Sequence, residues 1–500
     1  MMTIEQAKEK FYQLQAELQA LTNAKNLFLH DSATAAPIGS AAARGRTLGA
    51  LEALRHRLYE SEDTEQSLAQ LRASDAQLSK REERMLQLFT RQMDRMKAIP
   101  AKDYADYQAV TAEAYSVWGT AKANNDFAML SPYLERIFSL QREFSVCTMP
   151  GKDPYDACLE QYEPGLTGKT CDALFARMRE TVVPLIAAIN EKTPPRALTS
   201  EGAYPKGKQV ELSHRLMDIM RVDRSHCVLA ETEHPGTTSF TKSDLRVTTR
   251  YKTDDFAFSM AMVMHESGHA LYEMHTQDED AFTLLGTFAS MSLHESQSRF
   301  YENLIGKSRD FIEFITLELK NLFPTALGSF TAGGIYRAVN RVSPNPIRME
   351  ADELSYAVHI MIRYELEKAV INDQLKVREL PTAWNDLYRK YLGITVKNDR
   401  EGILQDCHWA YGSIGYFPTY ALGNAYGAQM LRTMKRSLNV EELVRRGVLQ
   451  PINDWLENAV WKLGARYDTA EVIQRACGEP FDASAYTDYL TSKFTELYQL

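Results

Sequence analysis

Apolar residues recur at intervals of three and four positions along most of this chain, with charged residues between them. The pattern is clearest over residues 3–24, 41–60, 76–98 and 101–146, and it resumes after His269 and continues to the last residue. Such spacing places apolar side chains on one face of an α-helix. We therefore predict a mainly α-helical protein whose N-terminal third is built from long packed helices.

Breaks in the helical pattern occur at residues 149–154, 163–169 and 191–208, where Pro and Gly residues cluster. None of these breaks has the length or the low complexity of a linker between domains. The chain is therefore predicted to form one domain over residues 1–500. Within it we expect an N-terminal helical region up to about residue 200 and a second region over about 201–500.

The segment Asp244–Tyr251 is the one stretch with convincing strand character, because polar and β-branched residues alternate along it. We predict a small β element at this place in an otherwise helical protein. A strand in this position is also suited to pair with an extended peptide.

Composition narrows the class of protein. The 500 residues are 44% hydrophobic and 25% charged, as in an ordinary globular protein with a large core. The net charge is −9 and no basic block occurs, which argues against nucleic acid as a partner. No run of about 18 apolar residues occurs, so we expect no membrane-spanning helix. The six cysteines are widely separated and the N-terminus lacks an apolar signal segment, so we expect a cytoplasmic protein with reduced thiols.

Two histidines four residues apart, His265 and His269, are the strongest sign of chemistry. The preceding residues 256–264 are mostly apolar and contain no Pro or Gly, which favours the helix that the spacing requires. At about 100° per residue, the two imidazoles differ by only about 40° around the helix axis and can bind one metal ion. Glu266 completes the H-E-x-x-H motif of two zinc ligands and a general base for peptide hydrolysis. Two core histidines with a chance acid between them are the alternative explanation.

A third ligand is needed to complete such a site. His275 has the spacing of the extended motif H-E-x-x-H-x-x-G-x-x-H, but Tyr272 replaces the glycine that would break the helix. A continuous helix directs His275 about 80° away from His265. Glu295 lies far enough downstream for its own helix to return antiparallel beside the first one. Spacing alone does not decide between Glu295 and the other acids, which are Glu273, Glu279 and Glu302.

Six short motifs follow one another along the chain. They are His234-Pro235, Asp244-x-Arg246-x-Thr248, His265-Glu266-x-x-His269, His294-Glu295-Ser296-Gln297, Ile347-Arg348-x-x-Ala351-Asp352 and Gly402-x-x-Gln405-Asp406-x-His408-Trp409. In type and order they resemble the carboxypeptidase Taq family of zinc metallocarboxypeptidases, and weaker similarity covers essentially the whole chain. Two positions depart from the family: Gly236 stands where Phe is usual, and His30 stands where Trp is common.

The resemblance implies a large two-lobed helical fold with a deep active-site groove, which is usually assembled as a homodimer. It implies one divalent metal ion per subunit, zinc or alternatively cobalt, held by His265, His269 and Glu295. The implied activity is the release of single C-terminal amino acids from peptide substrates with a free C-terminus, with Glu266 as the general base.

The resemblance also implies roles in substrate binding. Arg348 matches the arginine that holds the substrate's terminal carboxylate, and a guanidinium suits that task because it binds a carboxylate bidentately. The alternative is an ion pair within the protein, and the nearby acids are Glu350, Asp352 and Glu353. Asp244 and Arg246 either contact the substrate or pair with each other in the framework. His234 is expected to add a contact to the substrate.

Attack on a peptide carbonyl creates an oxyanion that needs hydrogen-bond donors beyond the metal. His408 and Tyr420 are the candidates, and they belong to a Gly- and aromatic-rich segment over residues 408–420. Tyr416 is the alternative to Tyr420. Aromatic core packing is the other explanation for both tyrosines.

Two other functions remain open from the sequence. A metal-dependent endopeptidase or oligopeptidase would share the metal chemistry but would need no anchor for a terminal carboxylate. A non-catalytic helical binding protein would carry a vestigial motif, which the intact Glu266 argues against.

Overall fold

The computed structural model describes residues 2–74, 77–198 and 201–500, and most of them lie in α-helices, as predicted. The N-terminal helices are α1 (Ile4–Thr34), α2 (Ala41–Tyr59), α3 (Glu62–Ala73), α4 (Lys80–Ala98), α5 (Ala101–Asn124), α6 (Ser131–Thr148), α7 (Pro154–Leu159) and α8 (Gly168–Asn190). The middle helices are α9 (Lys206–Ile219), α10 (Phe256–Met274), α11 (Met291–Arg299), α12 (Arg309–Leu322), α13 (Pro324–Leu327), α14 (Ala332–Val339) and α15 (Glu353–Ile371). The C-terminal helices are α16 (Leu380–Leu392), α17 (Pro418–Met434), α18 (Val440–Arg445), α19 (Gln450–Ala459), α20 (Thr469–Cys477) and α21 (Ser484–Tyr498). The helix predicted over 76–98 includes position 76, and the break predicted over 191–208 includes positions 199–200. These three positions lie outside the described residues.

Capping residues mark where the helices begin. The side chains of Thr3 and Ser79 accept hydrogen bonds from the first turns of α1 and α4, and both form reciprocal capping boxes. The predicted segment 101–146 is two helices, because Asn125 adopts a left-handed conformation with φ 57° at the end of α5. The helical pattern predicted to continue to the last residue is interrupted over 393–417, which contains no α-helix.

The described residues form two hydrophobic cores. Helices α1, α3 and α4 enclose the smaller core, which includes Phe11, Leu68 and Phe89. A much larger core extends from Ala114 in α5 to Tyr498 in α21. The helices of the smaller core end at Ala98, and the larger core contains residues from both expected regions.

Three short strands form one sheet in the order β1 (Cys227–Glu231), β3 (Asp244–Thr249) and β2 (Gly236–Thr241). β3 is the predicted strand, whereas β1 and β2 were not predicted. β3 is the central strand, parallel to β1 and antiparallel to β2, so both of its edges are hydrogen-bonded. The expectation that this strand pairs with a peptide is therefore wrong. β2 lies at the edge of the sheet.

Helix α11 packs closely against α10 on one side and against α17 on the other. A Cβ atom at Gly268 in α10 would lie 2.5 Å from the carbonyl oxygen of Gln297 and 2.8 Å from Cα of Ser298. On the other side, a Cβ atom at Gly423 in α17 would lie 2.7 Å from Cγ of Glu295. Only glycine permits both approaches. The packing brings Glu295 against α10.

Candidate metal centre

A cavity of about 1080 Å³ opens between α1, β2, α10 and α11. It is the deep groove that we expected, and most of the predicted site residues line it. These are His234, His265, Glu266, His269, Glu295, Arg348, Tyr416 and Tyr420. His408, Asp244 and Arg246 are not among the lining residues.

Helix α10 presents His265 and His269 on one face, toward Glu295 of α11. The two Nε2 atoms lie 3.7 and 3.5 Å from Oε2 of Glu295, and the three donor atoms lie within 4.8 Å of one another. Ligands at about 2.0–2.2 Å from a tetrahedral ion are about 3.3–3.6 Å apart, so this donor set fits one small divalent ion. Three protein ligands are also typical of catalytic sites, which keep a fourth position for water.

Different contacts hold the two histidine rings. Nδ1 of His265 lies 2.8 Å from Oε2 of Glu302, and because an ionised carboxylate only accepts, Nδ1 carries a hydrogen. In the neutral ring this leaves the lone pair on Nε2, the nitrogen that faces Glu295. Nδ1 of His269 is buried and has no hydrogen-bond partner within the described part of the chain. Its ring stacks on His294 at 4.2 Å, and Nε2 of His294 lies 3.0 Å from Glu273. Glu302 and Glu273 thus support the histidines and lie outside the donor group.

Arg299, the last residue of α11, contacts two of the buried acids. Its Nε donates to Oε1 of Glu295 at 2.6 Å, and its Nη1 donates to Oε2 of Glu302 at 3.0 Å. Oε2 is therefore the oxygen of Glu295 that faces the histidines. Burial alone would raise the pKa of Glu295, but Arg299 and His265 hold it well below its usual range. A π-helical turn, Phe300–Gly306, follows α11 and carries Glu302, and nothing in the sequence pattern signalled it.

Glu266 lies beside the donor group. Its Oε1 is 4.0 Å from Nε2 of His265, and its Oε2 accepts a hydrogen bond from Oγ1 of Thr237 at 2.7 Å. Burial raises the pKa of Glu266, while His265 and Thr237 oppose that rise. Thr237 belongs to β2 and was not predicted, because a threonine in a polar segment carries no sequence signal for such a contact.

His275 lies away from the donor group, as the continuous helix predicts. Helix α10 runs unbroken to Met274, and Nδ1 of His275 lies 2.7 Å from the carbonyl oxygen of Leu271. The ring of His275 lies beside Trp461. Glu279, another acid left open by spacing, pairs with Arg466.

Arg348 is buried in the cavity wall and is only 4% exposed. Its Nε and Nη2 donate to Oδ1 of Asp406 at 3.1 and 2.9 Å, and its Nη1 donates to the hydroxyl of Tyr356 at 3.2 Å. An ion pair of Arg348 therefore exists, but its partner is Asp406. The nearby acids are engaged elsewhere, Glu350 with Asn345, Asp352 at the start of α15 and Glu353 with Lys493.

Tyr416 and Tyr420 line the cavity, and their rings meet edge to face at 5.2 Å. Burial raises the pKa of Tyr416 to about 12 and that of Tyr420 well above its usual range, so both hydroxyls keep a proton to donate. The ring of His408 packs on Phe417 at 4.5 Å and on Tyr416 at 5.8 Å. Burial lowers the pKa of His408 to about 4, so this histidine is neutral at pH 7. The structure thus places the tyrosines, but not His408, at the cavity surface.

The residues of the predicted substrate-binding strand contact each other. Nε and Nη2 of Arg246 donate to the two carboxylate oxygens of Asp244 at 2.7 and 3.1 Å, and the guanidinium lies over Phe240 at 5.1 Å. This geometry favours the ion pair within the framework over a substrate contact. His234, in contrast, is exposed at the cavity.

The two positions that depart from the resembled family both line the cavity. A Cβ atom at Gly236 would meet no other atom within 4 Å, so this glycine leaves open space at the start of β2. The ring of His30, in α1, packs edge to face on Phe240 at 6.4 Å.

Two imidazoles, a carboxylate and an adjacent buried glutamate in a deep cavity define a class of protein, the metal-dependent peptidases. Comparison with known sequences shows the family: this chain belongs to the carboxypeptidase Taq (M32) metallopeptidases, whose family profile matches residues 10–494. The chain is therefore a metallocarboxypeptidase, and its substrates are peptides.

Two curated relatives match this chain along nearly its full length. It is 36% identical over 501 residues to Carboxypeptidase 1 of Bacillus subtilis (strain 168), and the match covers 100% of both chains. It is 34% identical over 517 residues to Thermostable carboxypeptidase 1 of Thermus thermophilus, covering 99% of this chain and 100% of the relative. The crystal structure of an M32 carboxypeptidase from Deinococcus radiodurans R1 superposes with a TM-score of 0.95 at 32% identity, covering 99% of this chain and 100% of that one.

Two further observations bear on the expected environment. None of the helices within the described residues has both the length and the apolar character required to cross a membrane. All six cysteines lie within the described residues, and each is unpaired.

Proposed function

We propose that His265, His269 and Glu295 bind one zinc ion. Two imidazoles and a carboxylate suit Zn²⁺ in a four-coordinate site, and cobalt is the alternative. When bound, such an ion activates a water molecule and polarises the scissile carbonyl. Metal analysis of the purified protein, before and after treatment with a chelator, tests both the stoichiometry and the identity of the ion.

Glu266 acts as the general base. Thr237 occupies Oε2, so Oε1 is the oxygen free to take a proton from water beside Nε2 of His265. The same oxygen later passes that proton to the leaving amine. Burial supports this role because a carboxylate in a dry site has a raised pKa and is a better base.

Arg348 holds the α-carboxylate of the substrate, so that only the last peptide bond reaches the metal ligands. The observation that carries this proposal is a chain of contacts along one wall of the cavity. Arg348 donates to Tyr356, the Tyr356 ring lies under the guanidinium of Arg299 at 4.4 Å, and Arg299 bonds to Glu295. The arginine and the metal ligand are therefore parts of one buried structure.

Tyr420 is the proposed donor to the oxyanion, since its ring centre lies 5.4 Å from Cζ of Arg348 and its hydroxyl is protonated. Tyr416 remains the alternative. His408 would act by supporting the ring of Tyr416. His234 lines the cavity and is the proposed contact to another part of the substrate.

The test compares a peptide that has a free C-terminus with its C-terminal amide. We expect the wild type to prefer the free acid, and Arg348→Ala to lower kcat/KM for the acid by about 10- to 150-fold, the loss of a charge-assisted bond of roughly 1.5–3 kcal/mol. Metal content should not change in this variant. A wild-type enzyme that cleaves both peptides equally well would show that Arg348 does not anchor a terminal carboxylate.

We also propose that the enzyme is a cytoplasmic homodimer. The homodimer rests on the family resemblance, and the cytoplasm rests on the unpaired cysteines, which suit a reducing compartment. Light scattering and cell fractionation test the two statements separately.

A further inference from the structure

Arg348 shares its carboxylate partner with a second arginine. Arg363, in α15, is fully buried, and its Nε donates to Oδ2 of Asp406 at 2.7 Å, while Arg348 binds Oδ1. One carboxylate is therefore held between two guanidinium groups. Arg363 does not line the cavity and lies behind the arginine that does.

This trio of Arg348, Asp406 and Arg363 carries a net charge of +1. Within the described residues, neither arginine has another carboxylate at ion-pair distance. Nη2 of Arg363 also lies 2.6 Å from Oδ2 of Asp406. The other bonds of Arg363 reach neutral acceptors, from Nη2 to Oε1 of Gln405 and from Nη1 to the carbonyl oxygen of His359, both at 2.8 Å. The excess positive charge is thus not cancelled by a direct contact.

The two histidines nearest the trio are neutral, and one buried acid lies near Arg363. Burial lowers the pKa of His359 well below its usual range and that of His408 to about 4, so both are neutral at pH 7. Glu367, four residues after Arg363, accepts hydrogen bonds from Trp409, Tyr155 and Gly415, and burial raises its pKa to about 7, so it carries only part of a negative charge at pH 7.

We propose that Arg363 is a positioning residue of the carboxylate anchor, and that its charge allows Arg348, already paired with Asp406, to bind a second carboxylate. Without Arg363, the buried pair would be neutral, and an arriving carboxylate would have to be desolvated with no net charge to receive it. With Arg363, substrate binding neutralises the trio. This inference rests on the proposed role of Arg348.

The geometry fixes which part of Arg348 is available. Asp406 occupies the edge formed by Nε and Nη2, so a substrate carboxylate can meet only the outer end of the guanidinium. The ring of Phe417 lies 5.6 Å from Cζ of Arg348 and 5.3 Å from Cζ of Arg363, and Trp384 lies 4.5 Å from the latter. Aromatic rings thus hold the second arginine in place and keep it from the substrate.

The test measures KM and kcat for an N-blocked peptide and for its C-terminal amide. Arg363→Gln should raise KM for the free acid by at least about tenfold, the effect of a unit charge several ångströms away at an effective dielectric constant of about 20. KM for the amide should change little. Arg363→Lys keeps the charge and should keep most of the preference for the acid.

The double variant Arg363→Gln with Asp406→Asn separates charge from structure. It restores a net charge of +1 on Arg348, so the preference for the acid should recover relative to Arg363→Gln alone. A purely structural role predicts the reverse, because two buried contacts are then lost. Melting temperature and metal content identify the folded, loaded samples. An unchanged acid-to-amide ratio in Arg363→Gln, or no recovery in the double variant, overturns the inference.

If Arg363→Gln does not fold, the single variant Asp406→Asn tests the inference. This change raises the net charge to +2 and frees an edge of Arg348, so the preference for the acid should equal or exceed that of the wild type. Loss of the preference would overturn the inference. A wild type without any preference refutes the proposed function itself. A preference that Arg348→Ala removes and Arg363→Gln leaves intact refutes only the role of Arg363.

Discussion

Replacing Glu302 by Gln isolates what this acid contributes to metal binding. The change preserves the size of the side chain and removes the charge that lies 2.8 Å from His265, 3.0 Å from Arg299 and 3.2 Å from Lys307. Loss of an acid that orients a metal-binding histidine typically costs 10- to 100-fold in metal affinity. That range corresponds to about 1.4–2.7 kcal/mol.

The structure points to the upper part of this range for two reasons. First, Glu302 is buried, so water does not compensate for the lost charge. Second, Arg299 contacts two carboxylates, and only Glu295 remains after the change. Arg299 then competes more strongly with a metal ion for Glu295.

Competition with a chromophoric chelator measures the zinc dissociation constant of each protein, and thermal melting of the metal-free forms separates binding from stability. Glu273→Gln is the matched control, because Glu273 supports His294, which is not a proposed ligand, and the loss should be smaller. Equal zinc affinity in the wild type and Glu302→Gln, with both metal-free proteins folded, would refute the reasoning.

The remaining predictions concern the base, the third ligand and a buried acid. Glu266→Gln should retain zinc and lose at least about 10² in kcat, and near-normal turnover would show that Glu266 is not the base. Glu295→Ala should lose both zinc and activity while His275→Ala retains them, and metal analysis of the two proteins would reveal the opposite pattern. Burial raises the pKa of Glu367 to about 7 from 4.5, so the folded state binds this proton more tightly than the unfolded state. The free energy of unfolding of the wild type, relative to that of Glu367→Gln, should therefore be greatest below pH 4.5 and fall by roughly 3 kcal/mol as the pH rises to about 7. Denaturant unfolding at several pH values measures this difference, and a constant difference would contradict the raised pKa.

Local sequence predicted most of the helices and the central strand, but not the other two strands or the interruption over 393–417. The composition of residues 256–264 alone predicts a helix. On that helix, the spacing of His265 and His269 is enough to predict that both side chains lie on one face. β2 is a polar, Thr-rich segment that becomes a strand because β3 pairs with it, and that pairing is not visible in its own residues. The segment 393–417 has helix-like spacing, but Glu367 in α15 binds Trp409 and Gly415 within it, and such distant contacts cannot be found by periodicity.

In the site, too, local patterns were predicted and long-range contacts were not. The histidine pair and Glu266 were found from spacing, whereas Glu295 could be chosen among several acids only through the family resemblance. The search for an ion-pair partner of Arg348 considered acids close in sequence, yet Asp406 lies 58 positions away. Long-range partners of this kind depend on how loops return to the core, which neither composition nor periodicity records.

The close packing of α11 limits which ions the site can accommodate. A ligand side chain can rotate for a larger cation, but here Gly268 rests on the main chain of α11 and Gly423 rests on Glu295 from the other side. Ca²⁺ requires six to eight oxygen ligands, whereas the donor group here offers two imidazoles and one carboxylate. A four-coordinate ion needs no further protein oxygen. By fixing the distance between the helices, the two glycines also fix how few donors a cation can reach.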